Sequence, residues 1–64
     1  MTYEEIKEYV KAQHEESRKR RMKRGMSEYN AEREAYLITL GSLKALYKVR
    51  AITDTQFSDL IAEF

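Results

Sequence analysis

Apolar side chains recur at helical spacing in three separate stretches of the chain. Tyr3, Ile6, Tyr9 and Val10 fall on one stripe when each residue advances about 100°. Phe57, Leu60, Ile61 and Phe64 occupy positions i, i+3, i+4 and i+7 of another. Between them, Tyr29, Tyr36, Leu40, Leu43 and Tyr47 form a seam, which Ile38, Ala45, Leu46 and Val49 widen to more than half a helix circumference. No stretch alternates with a period of two, and the chain contains no proline. The pattern predicts an all-α, compact three-helix bundle in a single domain over residues 1–64. Its helices should lie at about 3–24, 28–49 and 54–63, with the middle one sandwiched between the other two.

Side chains able to satisfy the free N–H groups of a first turn mark the helix starts. Thr2 with Glu5 forms a capping box, and Met1 and Ile6 stand where a hydrophobic staple would. Ser27 precedes Glu28, and Gly25 suits the left-handed position that ends the preceding helix. Thr53 and Gln56 form a second box flanked by Ile52 and Phe57, so "AITDTQF" reads as a tight corner between two helices. Gly41, inside the middle helix, costs about 1 kcal/mol relative to alanine. It either sits idle on the surface or marks the close approach of another helix or a partner.

The apolar stripe of the first helix stops after three turns. Its continuation is Gln13, His14, Ser17, Arg20, Arg21 and Arg24, so the basic end is expected to project beyond the core or to pack on something outside this chain. Charge is zoned in the same way. Residues 1–16 sum to −3, the segment "RKRRMKR" at 18–24 carries six cations, and residues 26–64 sum to −2, for a net charge of +1. Glu15 and Glu16 reach Lys19 and Arg20 at i, i+4, which leaves Arg21, Lys23 and Arg24 unpaired. Arg18, Lys19, Arg20, Arg21, Lys23 and Arg24 are therefore the candidate binding residues, for nucleic acid or for an acidic protein surface. The four arginines among them favour forked contacts to phosphate or carboxylate. Cations distributed around the whole circumference suit a phosphate-lined groove better than a flat face. A helix-turn-helix reader built on the Ile52–Thr53 corner is disfavoured, because Asp54, Asp59 and Glu63 on the last helix would meet phosphates.

At 64 residues a single core is marginal, and the chain has no cysteine for a disulfide or a thiolate zinc site. Support is expected from a second copy or from a bound partner, and a homodimer is the simplest form. The absence of a long apolar run and the acidic N-terminus point to a soluble protein of the cytoplasm, with no membrane span or secretory signal. His14 is the single histidine and has no nucleophile, second histidine or glycine-rich loop to work with. The reading is non-enzymatic, with no catalytic residues, no metal and no cofactor. His14 is expected to be half-exposed and, with Tyr9 and Tyr29, is a candidate interface residue, whereas Tyr36 and Tyr47 suit a core with their hydroxyls at the rim.

Residues 43–64, "LKALYKVRAITDTQFSDLIAEF", resemble the short bacterial helical hairpin called SHOCT through Leu43, Leu46, Ile52, Thr53 and Phe57. Arg50 stands where that family has glycine, and Gln56 where it has glutamate. The resemblance implies a capped and stapled corner and a role in protein association. In size, lack of cysteine and charge zoning, the chain also looks like small helical proteins encoded by phages of Gram-positive bacteria. The expected function is that of a phage or mobile-element modulator that binds a host nucleoprotein enzyme in the bacterial cytoplasm, such as a CRISPR nuclease, with the basic helix entering a nucleic-acid site. The alternatives are a small accessory factor binding DNA or RNA directly, of the excisionase or transcription-regulator kind, and a phage structural or assembly protein.

Overall fold

Hydrogen bonds from three side chains decide where the helices begin. In the computed structural model, which describes residues 1–64, these are α1 (Tyr3–Lys23), α2 (Glu28–Lys48) and α3 (Asp54–Ala62). Thr2 accepts from the Glu5 amide while Glu5 accepts from the Thr2 amide, and Thr53 and Gln56 repeat that reciprocal pair at α3. Ser27 accepts from the Asn30 amide at α2. The Glu5 carboxyl is held below the usual carboxylate range by the Thr2 backbone and side chain. The staple expected at α1 is absent, because Met1 lies in solvent, whereas Ile52 is buried and Phe57 packs on the core at the α2–α3 corner.

Both long helices end in the same way. The Met26 amide donates to the Arg21 carbonyl and Gly25 to Met22, which is a Schellman closure with Gly25 at φ 95°. At the other end of α2, Ala51 donates to Leu46 and Arg50 to Tyr47, and here the left-handed residue is Arg50, at φ 61°. A residue with a Cβ pays about 1–2 kcal/mol to sit in this conformation.

The core is small and lies at one end. Ile6, Val10, Leu43, Ile52 and Leu60 are buried, and Tyr3, Leu46, Phe57, Ile61 and Phe64 pack around them. Here α3 covers the α1–α2 pair. Glu63 accepts from Lys7 at 3.2 Å and lies 3.4 Å from Lys11, and the Phe64 ring is centred 4.7 Å from His14. Those two lysines hold the Glu63 carboxyl below its ordinary value, and Glu63 in turn raises Lys7. Tyr47 stacks on Phe57 with centroids 5.0 Å apart, and its hydrogen bond to Asp54 raises its phenol. Because α3 reaches only as far as His14, the rest of α1 extends past it as one leg of a two-helix hairpin. The whole molecule measures 36 × 17 × 16 Å.

The middle helix departs from the expected seam. Its buried line is Ala31, Ala35, Thr39 and Leu43, four residues apart, while Tyr29 is 75% exposed and Tyr47 is exposed as well. Alanine wins these positions because its small side chain admits the polar half of α1 at close range. The helix is also not sandwiched. Leu37 (57%), Ile38 (51%) and Val49 (73%) remain exposed on the side that neither α1 nor α3 covers. Gly41 sits on this side, with nothing within 4 Å of where a Cβ would stand.

Replacing Arg50 with glycine should relieve the left-handed backbone and stabilise the protein by about 1 kcal/mol, seen as a rise in Tm of about 4–8 °C. A melting temperature that stays level or falls would show that the Arg50 side chain contributes more than its backbone costs.

Candidate functional site

The basic end of α1 does not lack a neighbour in its own chain, because a chain of polar contacts ties it to α2. His14 begins that chain. It is only 7% exposed, which corrects the expectation of a half-exposed interface residue. Its Nε2 lies 2.8 Å from Glu32 Oε1 and its Nδ1 lies 2.9 Å from Thr39 Oγ1. A carboxylate can only accept, so Nε2 carries the hydrogen and donates to Glu32. The Thr39 hydroxyl then donates to Nδ1 of the neutral ring, or accepts from it when the ring is charged. No buried side-chain nitrogen or oxygen in the molecule is left without a partner.

One turn further on, Arg18 shares Glu32 with His14 and adds two more acids. Its Nη2 donates to Glu15 at 2.5 Å, and Glu28 and Glu32 stand at 3.9 and 3.8 Å. The pairing lowers the Glu15 carboxyl and raises Arg18, chiefly through the hydrogen bond that joins them. An open groove runs beside this network past Phe64, flanked by Tyr29 and Tyr36.

Arg21 is not unpaired, which corrects a second expectation. It donates to the Ser17 hydroxyl, donates to the Ser17 carbonyl at 3.1 Å, and lies 3.9 Å from Glu34 on α2. Glu15 and Glu16 meet Lys19 and Arg20 at 3.8 and 3.2 Å, as their i, i+4 spacing implies. Only Lys23 and Arg24 of the six cations have no carboxylate within 4.0 Å.

The structure therefore divides the cluster in two. Arg18 turns toward α2 on the α3 side. Arg20, Arg21 and Arg24 gather at the opposite side of the hairpin tip, beside Gly25, Met26 and Glu34. Tyr9 is exposed and bonded to Gln13 at 2.9 Å, on the face opposite α3, whereas Tyr29 stands in the groove beside Arg18, so the two tyrosines do not share a surface. Reading residues one at a time missed Thr39 and Glu32. The signal that could have found them is the hairpin itself, since a turn at Gly25 brings together residues roughly equally far from it on the two helices. Comparison with protein-family models, with curated proteins and with solved structures gives no match to this chain.

Replacing His14 with alanine should cost about 2–4 kcal/mol in urea unfolding, by leaving a cavity and two stranded partners. Thr39→Val should cost about 1–2 kcal/mol by removing one of those partners. Alanine at Lys23 or Arg24 should change stability by no more than about 0.5 kcal/mol. Equal losses at all four positions would show that the imidazole is not the centre of the polar network.

Proposed function

We propose that this chain is a non-enzymatic binding protein whose hairpin tip docks on an anionic site of a host nucleoprotein enzyme. The observation that carries this reading is the tip itself. Arg20, Lys23 and Arg24 face solvent beyond the reach of α3, and two of the three lack any carboxylate partner. Cations held at the C-terminal end of a helix are favoured by its dipole, so this end can keep them exposed at little cost to folding. Arginine there offers forked donors to phosphate or carboxylate.

The acids around the cluster favour a nucleoprotein over bare DNA. Glu15, Glu16, Glu28, Glu32 and Glu34 all lie within 4.0 Å of one of its cations. A uniform phosphate rod would be repelled by these acids. A protein surface or a nucleoprotein cleft can place its own charges between them. Direct DNA or RNA binding by an accessory factor is thus the weaker reading, and an assembly role would rest on the apolar face and not on the tip. Small size, zoned charge and the absence of cysteine support a phage or mobile-element modulator of a bacterial host enzyme, such as a CRISPR nuclease. No helix is long and apolar enough to cross a membrane.

The test is capture from bacterial host lysate with and without nuclease treatment, comparing the natural chain with the triple variant R20E/K23E/R24E. Capture should survive nuclease and be lost in the variant, while circular dichroism shows the helices retained; a small loss of Tm is expected, because carboxylates replace cations at the C-terminal end of α1 and the Arg20–Glu16 pair is reversed. Capture that persists in the variant would make the tip a solvated helix end. Binding to bare duplex DNA with a log–log salt slope of roughly −3, as expected for about three phosphate contacts, would instead favour the accessory-factor reading.

A further inference from the structure

The uncovered side of α2 carries one line of residues with its own internal order. Glu34, Ile38, Gly41, Ala45 and Lys48 are spaced alternately four and three apart, the spacing of a seam between two helices. All five are exposed. Leu37 and Val49 flank the line, and Tyr9 and Gln13 of α1 border it in an apolar groove with Ala45 and Leu46. None of these residues belongs to the buried line of α2: Glu34 and Ile38 border it, three residues after Ala31 and Ala35, and Gly41 and Lys48 lie further round the helix.

The order along the line identifies its occupant. An acid stands at the N-terminal end and a base at the C-terminal end, with apolar residues between them and a glycine at the centre. Turned end for end about Gly41, the line complements itself, because Glu34 then faces Lys48 of a second copy and Lys48 faces that copy's Glu34. Ile38 meets Ala45 in both halves. A two-fold interface demands this reciprocity. A parallel pairing would instead put like charges together at both ends. Glycine at the crossing point lets two backbones approach to about 8 Å, the near end of the usual range. This accounts for a residue that costs helix stability and touches nothing within one chain.

We infer that two copies of this chain associate through α2, antiparallel, crossing at Gly41. In this dimer Glu34 is shared between Arg21 of its own chain, 3.9 Å away, and Lys48 of the other. The two hairpin tips point in opposite directions. Each lies about 20 Å from the crossing point along α2, so they stand roughly 40 Å apart. Such a dimer presents two cationic tips to two sites, or to two points of one extended partner. The inference does not rest on what the tips bind.

Sedimentation equilibrium across a concentration series tests it. The natural chain should approach twice its mass of 7.6 kDa. Gly41→Leu should remain at 7.6 kDa with its helicity retained, because leucine improves the helix while blocking the crossing. E34K and K48E should each weaken association roughly tenfold, since either one replaces two attractions with two repulsions. The double variant E34K/K48E should restore it. A natural chain that stays at 7.6 kDa at every concentration, a Gly41→Leu protein that still dimerises, or a double swap no better than the single changes would each overturn the proposal.

Discussion

The stability of the hairpin beyond the third helix depends on a polar side chain in a position where a bundle normally places a leucine. The imidazole of His14 sits on the continuation of the Tyr3–Ile6–Val10 stripe and is buried with both nitrogens occupied. A buried group of this kind is costly if either partner is missing and neutral to favourable if both are present. Thr39 and Glu32 on α2 fix the height and rotation at which the two long helices meet. From that point to the turn, the pairing of α1 with α2 is polar: Arg18 over Glu15, Glu28 and Glu32, then Arg21 with Ser17 and Glu34.

This arrangement explains how a cationic cluster coexists with a compact fold. The apolar core is confined to one end, where α3 can cover it, and the other end is a two-helix hairpin that uses carboxylates to seat part of the charge. The neutralisation is graded along α1. Arg18 is the most engaged, Arg20 and Arg21 have one carboxylate each, and Lys23 and Arg24 have none within 4.0 Å. Free charge thus accumulates at the tip of the molecule and not along its side.

The local features were legible from the chain. Capping boxes, the left-handed glycine and the short corner before α3 are decided by residues a few positions apart, and each helix boundary lies within one residue of its expectation. The packing of α2 was not legible in the same way. Tyrosine offers more apolar surface than alanine, yet toward the turn Ala31 and Ala35 are fully buried, as Leu43 is at the core end, and Tyr29 faces solvent, because small side chains are needed where α1 brings a ring and two guanidinium groups. The fate of His14 and Arg21 depends on partners 13 to 25 residues away, which no window of one helix contains. The exposed face around Gly41 follows from the same misplacement: rotating the buried line toward alanine leaves Ile38, Leu37 and Val49 outside.

Native-state hydrogen exchange on α1 tests the central claim most directly. If His14 and the carboxylates of α2 hold the basic half in place, the amides of Arg18, Lys19, Arg20 and Arg21 will be protected with opening energies close to those of Val10 and Lys11. If instead those amides exchange as a frayed, free-standing helix while the first three turns stay protected, the polar clamp is not what shapes the hairpin.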